Sequence, residues 1–202
     1  MTERPVAASA GRGRPRSKQS EAAILEATTR LLDEAGFAEL TIEDVAVQAG
    51  VGKATIYRWW PTKGTLAFDA FLSEFLARQP LPDTGSLRGD LLRALRGWIR
   101  TVKGTSTGRT LVGLISEVQR DPALADVWRE RFIGPVRGQH RIIIQRAIDR
   151  GEVPVDADPD IALDLLFGSG YHRLLQSHLP LDDRFARSIV DVIVRGLQQP
   201  PD

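Results

Sequence analysis

The chain has 202 residues, 42% of them apolar, with a net charge of +1, which fits one large domain or two small ones around a sizeable core. It contains no cysteine, which excludes disulfides, thiol chemistry and zinc fingers. No apolar run reaches the roughly eighteen residues of a membrane helix, and the polar, arginine-rich start lacks the apolar segment of a signal peptide. A cytoplasmic protein with no membrane partner is expected.

The near-zero net charge hides a segregated distribution. Arg12, Arg14, Arg16 and Lys18 stand in a stretch without acids. Glu21, Glu26, Asp33, Glu34, Glu39, Glu43 and Asp44 follow, with Arg30 as the one base among them, and then Lys53, Arg58 and Lys63 stand in another acid-free stretch. Basic residues gathered on particular segments are the footprint of a polyanion partner.

Residues 1–18 show no apolar periodicity and read as a disordered basic arm. Its GRGRPRS core is suited to a narrow minor groove, where negative potential concentrates, so Arg12, Arg14 and Arg16 are expected to touch DNA. Ser20 is a cap for a helix running to Glu34, with Ile24, Leu25, Thr28, Leu31, Leu32 and Ala35 on one face and Gly36 ending it. Phe37 and Leu40 are expected to pack that helix onto the next pair.

Thr41–Lys63 reads TIEDVAVQAGVGKATIYRWWPTK. Thr41 and Asp44 form a start signal, Val45, Ala46 and Ala49 an apolar stripe, and Gly50 a left-handed end. Gly52 opens a second short helix, Lys53 to Trp60, on which Ile56 and Trp60 face inward and Lys53, Thr55, Tyr57 and Arg58 face outward. Pro61 stops it, and Thr62 caps the following helix. Two short helices about a glycine turn make a helix-turn-helix, whose second helix fits the major groove.

A long helix, Leu66 to Arg78, carries Phe68, Phe71, Leu72, Phe75 and Leu76, before a break at Pro80, Pro82 and Gly85. The rest is helical. Ser86 starts one helix, KGTSTGR (103–109) is a loop, and Asp121-Pro122 and Asp158-Pro159 are cap-plus-proline starts. Pro135 predicts a kink or break. A helix from about Val136 closes at Gly151, the one after Asp158 runs to about Ser177, and the last spans 182–197. No strand alternation is present.

The segment AGVGKATIYRWWPTKGTL resembles the signature of the TetR (tetracycline-repressor) family of bacterial transcriptional regulators. Gly50, Val51, Thr55, Ile56, Tyr57, Trp60, Pro61, Lys63 and Leu66 match position by position. Gly52 and Trp59 depart from it, standing where a serine and a histidine are usual. EVQRDPALA, RGEVP and the last two helices resemble a C-terminal version of the family. The resemblance implies an all-α fold, with an N-terminal three-helix helix-turn-helix DNA-binding domain joined by a long helix to a C-terminal helical ligand-binding and dimerisation domain. The segments are placed at 1–18, 19–66 and 67–202. It also implies that Lys53, Ala54, Thr55 and Arg58 lie nearest the base edges while Tyr57 and Lys63 hold phosphates, with Thr41, Gly52 and Trp59 completing the DNA face.

For the C-terminal part the resemblance implies a mostly apolar effector cavity. Trp98, Leu114, Glu117, Val118, Trp128, Phe132, His140, Ile144, Phe167 and Tyr171 are the expected lining, with Gln119 a further polar anchor. It implies a four-helix dimer interface from Leu163, Gly170, Leu174, Phe185, Ile189, Val192 and Ile193.

Three other constellations are rejected. Val47 and Ala54 break the phosphate-loop pattern around Lys53. Gly168-Ser169-Gly170 lacks the spacing of a nucleophile elbow. His140, His172 and His178 have no partner at metal-ligand spacing. No cofactor, metal or catalytic residue is expected. The expected function is a homodimeric repressor of a pseudo-palindromic operator, released by a small apolar effector. The alternative is an architectural or activating DNA-binding protein without an effector.

Overall fold

A computed structural model describes residues 18–77 and 80–198, the last two residues of the first stretch by backbone alone. Arg12, Arg14 and Arg16 lie outside the described residues. Helices account for the regular structure throughout the described range: α1 (Lys18–Glu34), α2 (Gly36–Glu39), α3 (Ile42–Ala49), α4 (Lys53–Trp59), α5 (Lys63–Ala77), α6 (Leu87–Val102), α7 (Ser106–Val118), α8 (Pro122–Trp128), α9 (Gly134–Asp149), α10 (Pro159–Leu163), α11 (Ser169–Gln176) and α12 (Asp183–Gln198).

α1 already includes Lys18, so Ser20 is inside the helix and Lys18 belongs to it rather than to the arm. Its apolar face buries Ile24, Ala27 and Leu32, and Thr28 joins them by donating its hydroxyl to Ile24 O at 2.7 Å. Gly36 takes a left-handed φ of 81° and turns the chain into α2, a single helical turn absent from the sequence reading.

In α3 and α4 the expected signals act as read. Thr41 accepts from Asp44 N at 3.1 Å, and Gly50 ends α3 at φ 65° with a Val51 N–H to Ala46 O bond of 3.0 Å. Ile56 and Trp60 are buried to 0% and 2% exposure and anchor α4. Thr62 caps α5 through Thr65 N.

The helix-turn-helix head rests directly on the C-terminal helices. Gly113 on α7 makes this possible, because a Cβ there would lie 2.7 Å from the Cβ of Phe37. Phe37 therefore packs across the seam onto α7, not only within the head. Gly64 plays the same part against α8, where a Cβ would stand 3.0 Å from Leu124. Arg109 on α7 donates to Asp33 O at 3.1 Å. The aromatic face of α5 runs on from the head, with Phe71 and Phe75 packed 5.5 and 5.2 Å from Phe132.

Two stretches expected to be irregular are helical. The loop at 103–109 ends early: Thr105 caps α7 by accepting from Gly108 N at 3.0 Å. Gly108 has to be a glycine, because a Cβ would lie 1.8 Å from Val102 O. At Pro135 there is no break. The helix widens into a π turn, Arg129–Ile133, linking α8 to α9, and Gly134 N–H bonds back to Arg129 O. Proline lacks the N–H that a regular helix would require, and the wider turn absorbs the mismatch. A second π turn, Asp164–Gly168, links α10 to α11.

Candidate DNA interface and regulatory cavity

The outward face of α4 presents Lys53, Ala54, Tyr57 and Arg58, all exposed, with Gly52 exposed at its N-cap and Thr55 half-buried. Gly52 has ordinary extended φ and open space at its missing Cβ, so the site accommodates a side chain. Trp59 is half-buried, edge-on to Trp60 at 5.7 Å, with the Arg58 guanidinium 5.6 Å from its ring centre. That geometry gives Trp59 a role in supporting Arg58. Thr41 is exposed, and its hydroxyl is turned to Asp44.

Two basic residues are engaged within the protein. Lys53 Nζ lies 2.7 Å from Glu43 Oε1 on α3. This pairing lowers the pKa of Glu43 and raises that of Lys53, in both cases chiefly through the hydrogen bond between them. Lys63 Nζ donates to Phe37 O and Ala38 O at 3.1 and 3.2 Å and sits 4.8 Å from the Phe37 ring. Lys63 closes the C-terminal carbonyls of α2, where a cation is favourable, so it is not disposed as the pure phosphate contact expected from sequence. The ten-residue separation of Glu43 and Lys53 hid their pairing, which only the α3–α4 crossing creates.

α4 is wired to the C-terminal helices. Trp60 Nε1 donates to Asp69 Oδ2 at 2.7 Å, and Arg131 Nη1 donates to Asp69 Oδ1 at 2.7 Å. Arg131 lies on the first π turn, its guanidinium 5.5 Å from the Phe68 ring centre.

The next residues on that turn, Phe132 and Ile133, line a cavity of about 160 Å³. Phe75, Trp98, Val136, His140, Leu163, Phe167 and Tyr171 complete most of its apolar wall, with Arg137, Gln139, Asp164 and Gly168 alongside. The second π turn supplies Asp164, Phe167 and Gly168. Both irregular turns thus shape one cavity, a placement common for such turns at functional sites.

Of the residues expected from sequence at an effector cavity, Trp98, Phe132, His140, Phe167 and Tyr171 line this one. Leu114 and Ile144 are fully buried core, and Trp128 packs behind the wall, its ring tilted against Phe132 at 4.6 Å. Glu117 lies at the head seam beside Gly64. Val118 and Gln119 border a separate surface groove. The sequence missed Phe75 and the pair Arg137 on α9 and Asp164 on the second π turn, a placement that has no periodic signal.

Arg137 is neutralised in place. It donates to Asp164 and, at 2.7 Å, to Asp160, and these bonds raise its pKa, with Asp164 first in weight. Asp160 also accepts from Arg141, the larger cause of its lowered pKa. His140 is 6% exposed, and burial lowers its pKa. Its Nδ1 lies 2.8 Å from Val136 O. A carbonyl only accepts, so Nδ1 carries the hydrogen and Nε2 the lone pair. Burial pushes Tyr171 up to about 12, and the nearby Trp98 indole tempers it. Trp98 Nε1 itself is buried without a well-formed hydrogen bond.

The expected dimer face divides in two. Leu163 is 1% exposed and lines the cavity, and Gly170 admits the Trp98 ring, which a Cβ would meet at 2.7 Å. Phe185 and Ile193 are core. These four do not form an outer surface. Leu174 and Ile189 are half-buried and Val192 is 63% exposed. Ile161, Leu165, Leu175 and Leu179, missed in the sequence, are exposed along α10, the second π turn, α11 and the loop that follows.

Comparisons with known proteins agree with this architecture. Residues 24–70 match the model of bacterial regulatory proteins of the tetR family, and residues 81–193 match a tetracyclin repressor-like C-terminal domain. The chain is 36% identical to the HTH-type transcriptional regulator YdeS of Bacillus subtilis (strain 168), over 93% of this chain and 94% of that one. It is 32% identical to a DNA-binding transcriptional repressor, TetR, of Mycobacteroides abscessus, over 92% and 97%. The crystal structure of the TetR family transcription regulator SCO0332 superposes with a TM-score of 0.78 at 36% identity, covering 89% of this chain and 98% of that one. No described helix is long and apolar enough to cross a membrane. With a helix-turn-helix head and a helical C-terminal domain each matching its model, this chain belongs to the TetR family of bacterial transcriptional regulators and is not an enzyme.

Proposed function

We propose that the protein is a homodimeric repressor whose operator affinity is set by a small molecule in the cavity between α5, α6, α9 and α11. One observation carries this reading. The π turn Arg129–Ile133 gives Phe132 to the cavity wall, while its neighbour Arg131 holds Asp69, which holds Trp60 at the end of α4. A ligand that favours one setting of this turn then favours one position of α4. Only differential affinity for the two settings is needed. The open cavity supports an effector over the architectural alternative, which calls for a collapsed C-terminal core.

DNA is gripped by the outward face of α4, with Lys53, Ala54, Thr55 and Arg58 toward the base edges and Tyr57 toward the backbone. The exposed stripe of Ile161, Leu165, Leu175, Leu179 and Val192 supports a two-fold dimer, which presents two heads to successive major grooves about 34 Å apart. The test is anisotropy of labelled DNA from upstream of the gene, with compounds screened for release. Binding no tighter than to random DNA sinks the reading. So does a Val192→Asp variant that keeps wild-type mass in sedimentation and wild-type operator affinity.

A further inference from the structure

We infer that the cavity takes an uncharged molecule about the size of one aromatic ring, bearing a hydroxyl that donates its hydrogen to Nε2 of His140. The inference rests on the effector reading above and adds the chemistry of the ligand.

Size comes first. A dry cavity of about 150 Å³ accommodates benzene, and this one is about 160 Å³. Rings supply most of the wall: Phe75, Trp98, Phe132, Phe167 and Tyr171. Such a surface suits a flat apolar body packed face-on or edge-on.

Charge comes next. The charged groups on the lining are Arg137 and Asp164, and they are bonded to each other, with Asp160 also on Arg137. An anion therefore finds no unmatched cation, and a cation finds no unmatched carboxylate. Burying either kind of ion against these rings carries a heavy desolvation cost.

The hydroxyl follows from the imidazole. Nδ1–H is held by Val136 O, so Nε2 is an acceptor. Burial keeps the ring in that neutral form. Phe167 stands edge-to-face with the ring at 5.0 Å and fixes its plane. Nε2 is not sealed among the buried polar atoms, and no described group bonds to it. An acceptor-only ligand would set lone pair against lone pair, whereas a hydroxyl satisfies it.

The test uses calorimetry on the full chain with four probes: phenol, toluene, benzoate and benzylammonium. Phenol and toluene are expected to bind and the two ions not to. In His140→Phe the affinity ratio of phenol to toluene is expected to shift by roughly tenfold toward toluene, the worth of one hydrogen bond. Continued toluene binding shows that the variant is folded. In the wild type the Nε2 nitrogen resonance of His140 is expected to move with phenol and to stay with toluene. An unchanged ratio, an unmoved resonance, ions that bind as tightly as phenol, or no binding by any probe overturns the assigned chemistry. The effector reading is decided separately, by whether any compound releases the operator.

Discussion

Trp60 and Asp69 are joined by a 2.7 Å hydrogen bond between the end of α4 and the long helix α5 behind it. The other oxygen of Asp69 takes Arg131, so one half-buried carboxylate couples two distant elements. Residues in one such network respond non-additively to substitution. Trp60→Phe and Arg131→Met are expected to show an interaction energy of about 0.5–1 kcal/mol in urea unfolding of the double-mutant cycle. Strict additivity would show that the carboxylate does not link them.

If Lys53 meets DNA as proposed, Glu43 competes for it. The pair is fully exposed, so its effect on fold stability is negligible. Its effect on recognition is direct. Glu43→Gln is expected to tighten operator binding several-fold, and Lys53→Ala to weaken it and flatten the salt dependence by about one unit. Anisotropy titrations across ionic strength measure both. Looser binding by Glu43→Gln refutes the competition.

Lys63 now has a stability role to test. Its ammonium bonds to two carbonyls at the end of α2. Lys63→Ala is expected to cost about 1–2 kcal/mol in thermal unfolding. A variant as stable as the wild type but weak on all DNA sequences would return Lys63 to the role of a plain phosphate contact.

His140 makes stability depend on pH. Its folded pKa lies below the ordinary imidazole value of roughly 6.5. The unfolded chain then binds a proton more readily than the folded one. Stability from this group is complete above about 6.5 and falls as pH drops below it. Arg137, Asp164 and Tyr171 share its cavity. His140→Phe is expected to flatten the melting temperature between about pH 6.5 and 5. An equal slope in both proteins assigns the effect elsewhere.

Gly113 sets how closely the head seats. Gly113→Ala is expected to cost about 1–3 kcal/mol through overpacking on Phe37. Adding Phe37→Ala is expected to recover part of that loss in the same denaturation assay. An unaffected Gly113→Ala would mean that the seam yields freely.

The head was legible in the sequence because its signals are local. Thr41, Gly50, Ile56 and Pro61 act within a few residues of themselves, and helix caps and apolar spacing report them directly. The cavity was half legible. Aromatic residues such as Trp98 and Phe167 are conspicuous in the sequence, but Trp128 and Phe132 look alike there and differ in that Trp128 ends α8 while Phe132 lies within the π turn that follows. Part of the dimer face expected from sequence is interior to one chain, and for Leu163 the reason is the same. The turn Asp164–Gly168 shifts the helical phase between α10 and α11, so a regular period reads Leu163 as outward when it is inward. Long-range pairs such as Glu43–Lys53 and Asp69–Arg131 leave no periodic trace.

Each π turn has a consequence for how this scaffold tolerates change. A π turn holds an extra residue within an otherwise continuous helix. Deleting one residue from Arg129–Ile133 returns the segment to ordinary winding and leaves the facing of α9 nearly unchanged, whereas the same deletion at 134–136 turns everything downstream by about 100° about the axis. In that second case His140 would leave the cavity and the Arg137 bonds would be lost. A one-residue shortening is therefore absorbed at the turn, where it alters only the wall that Phe132 and Ile133 supply, and abolishes the cavity a few residues further on.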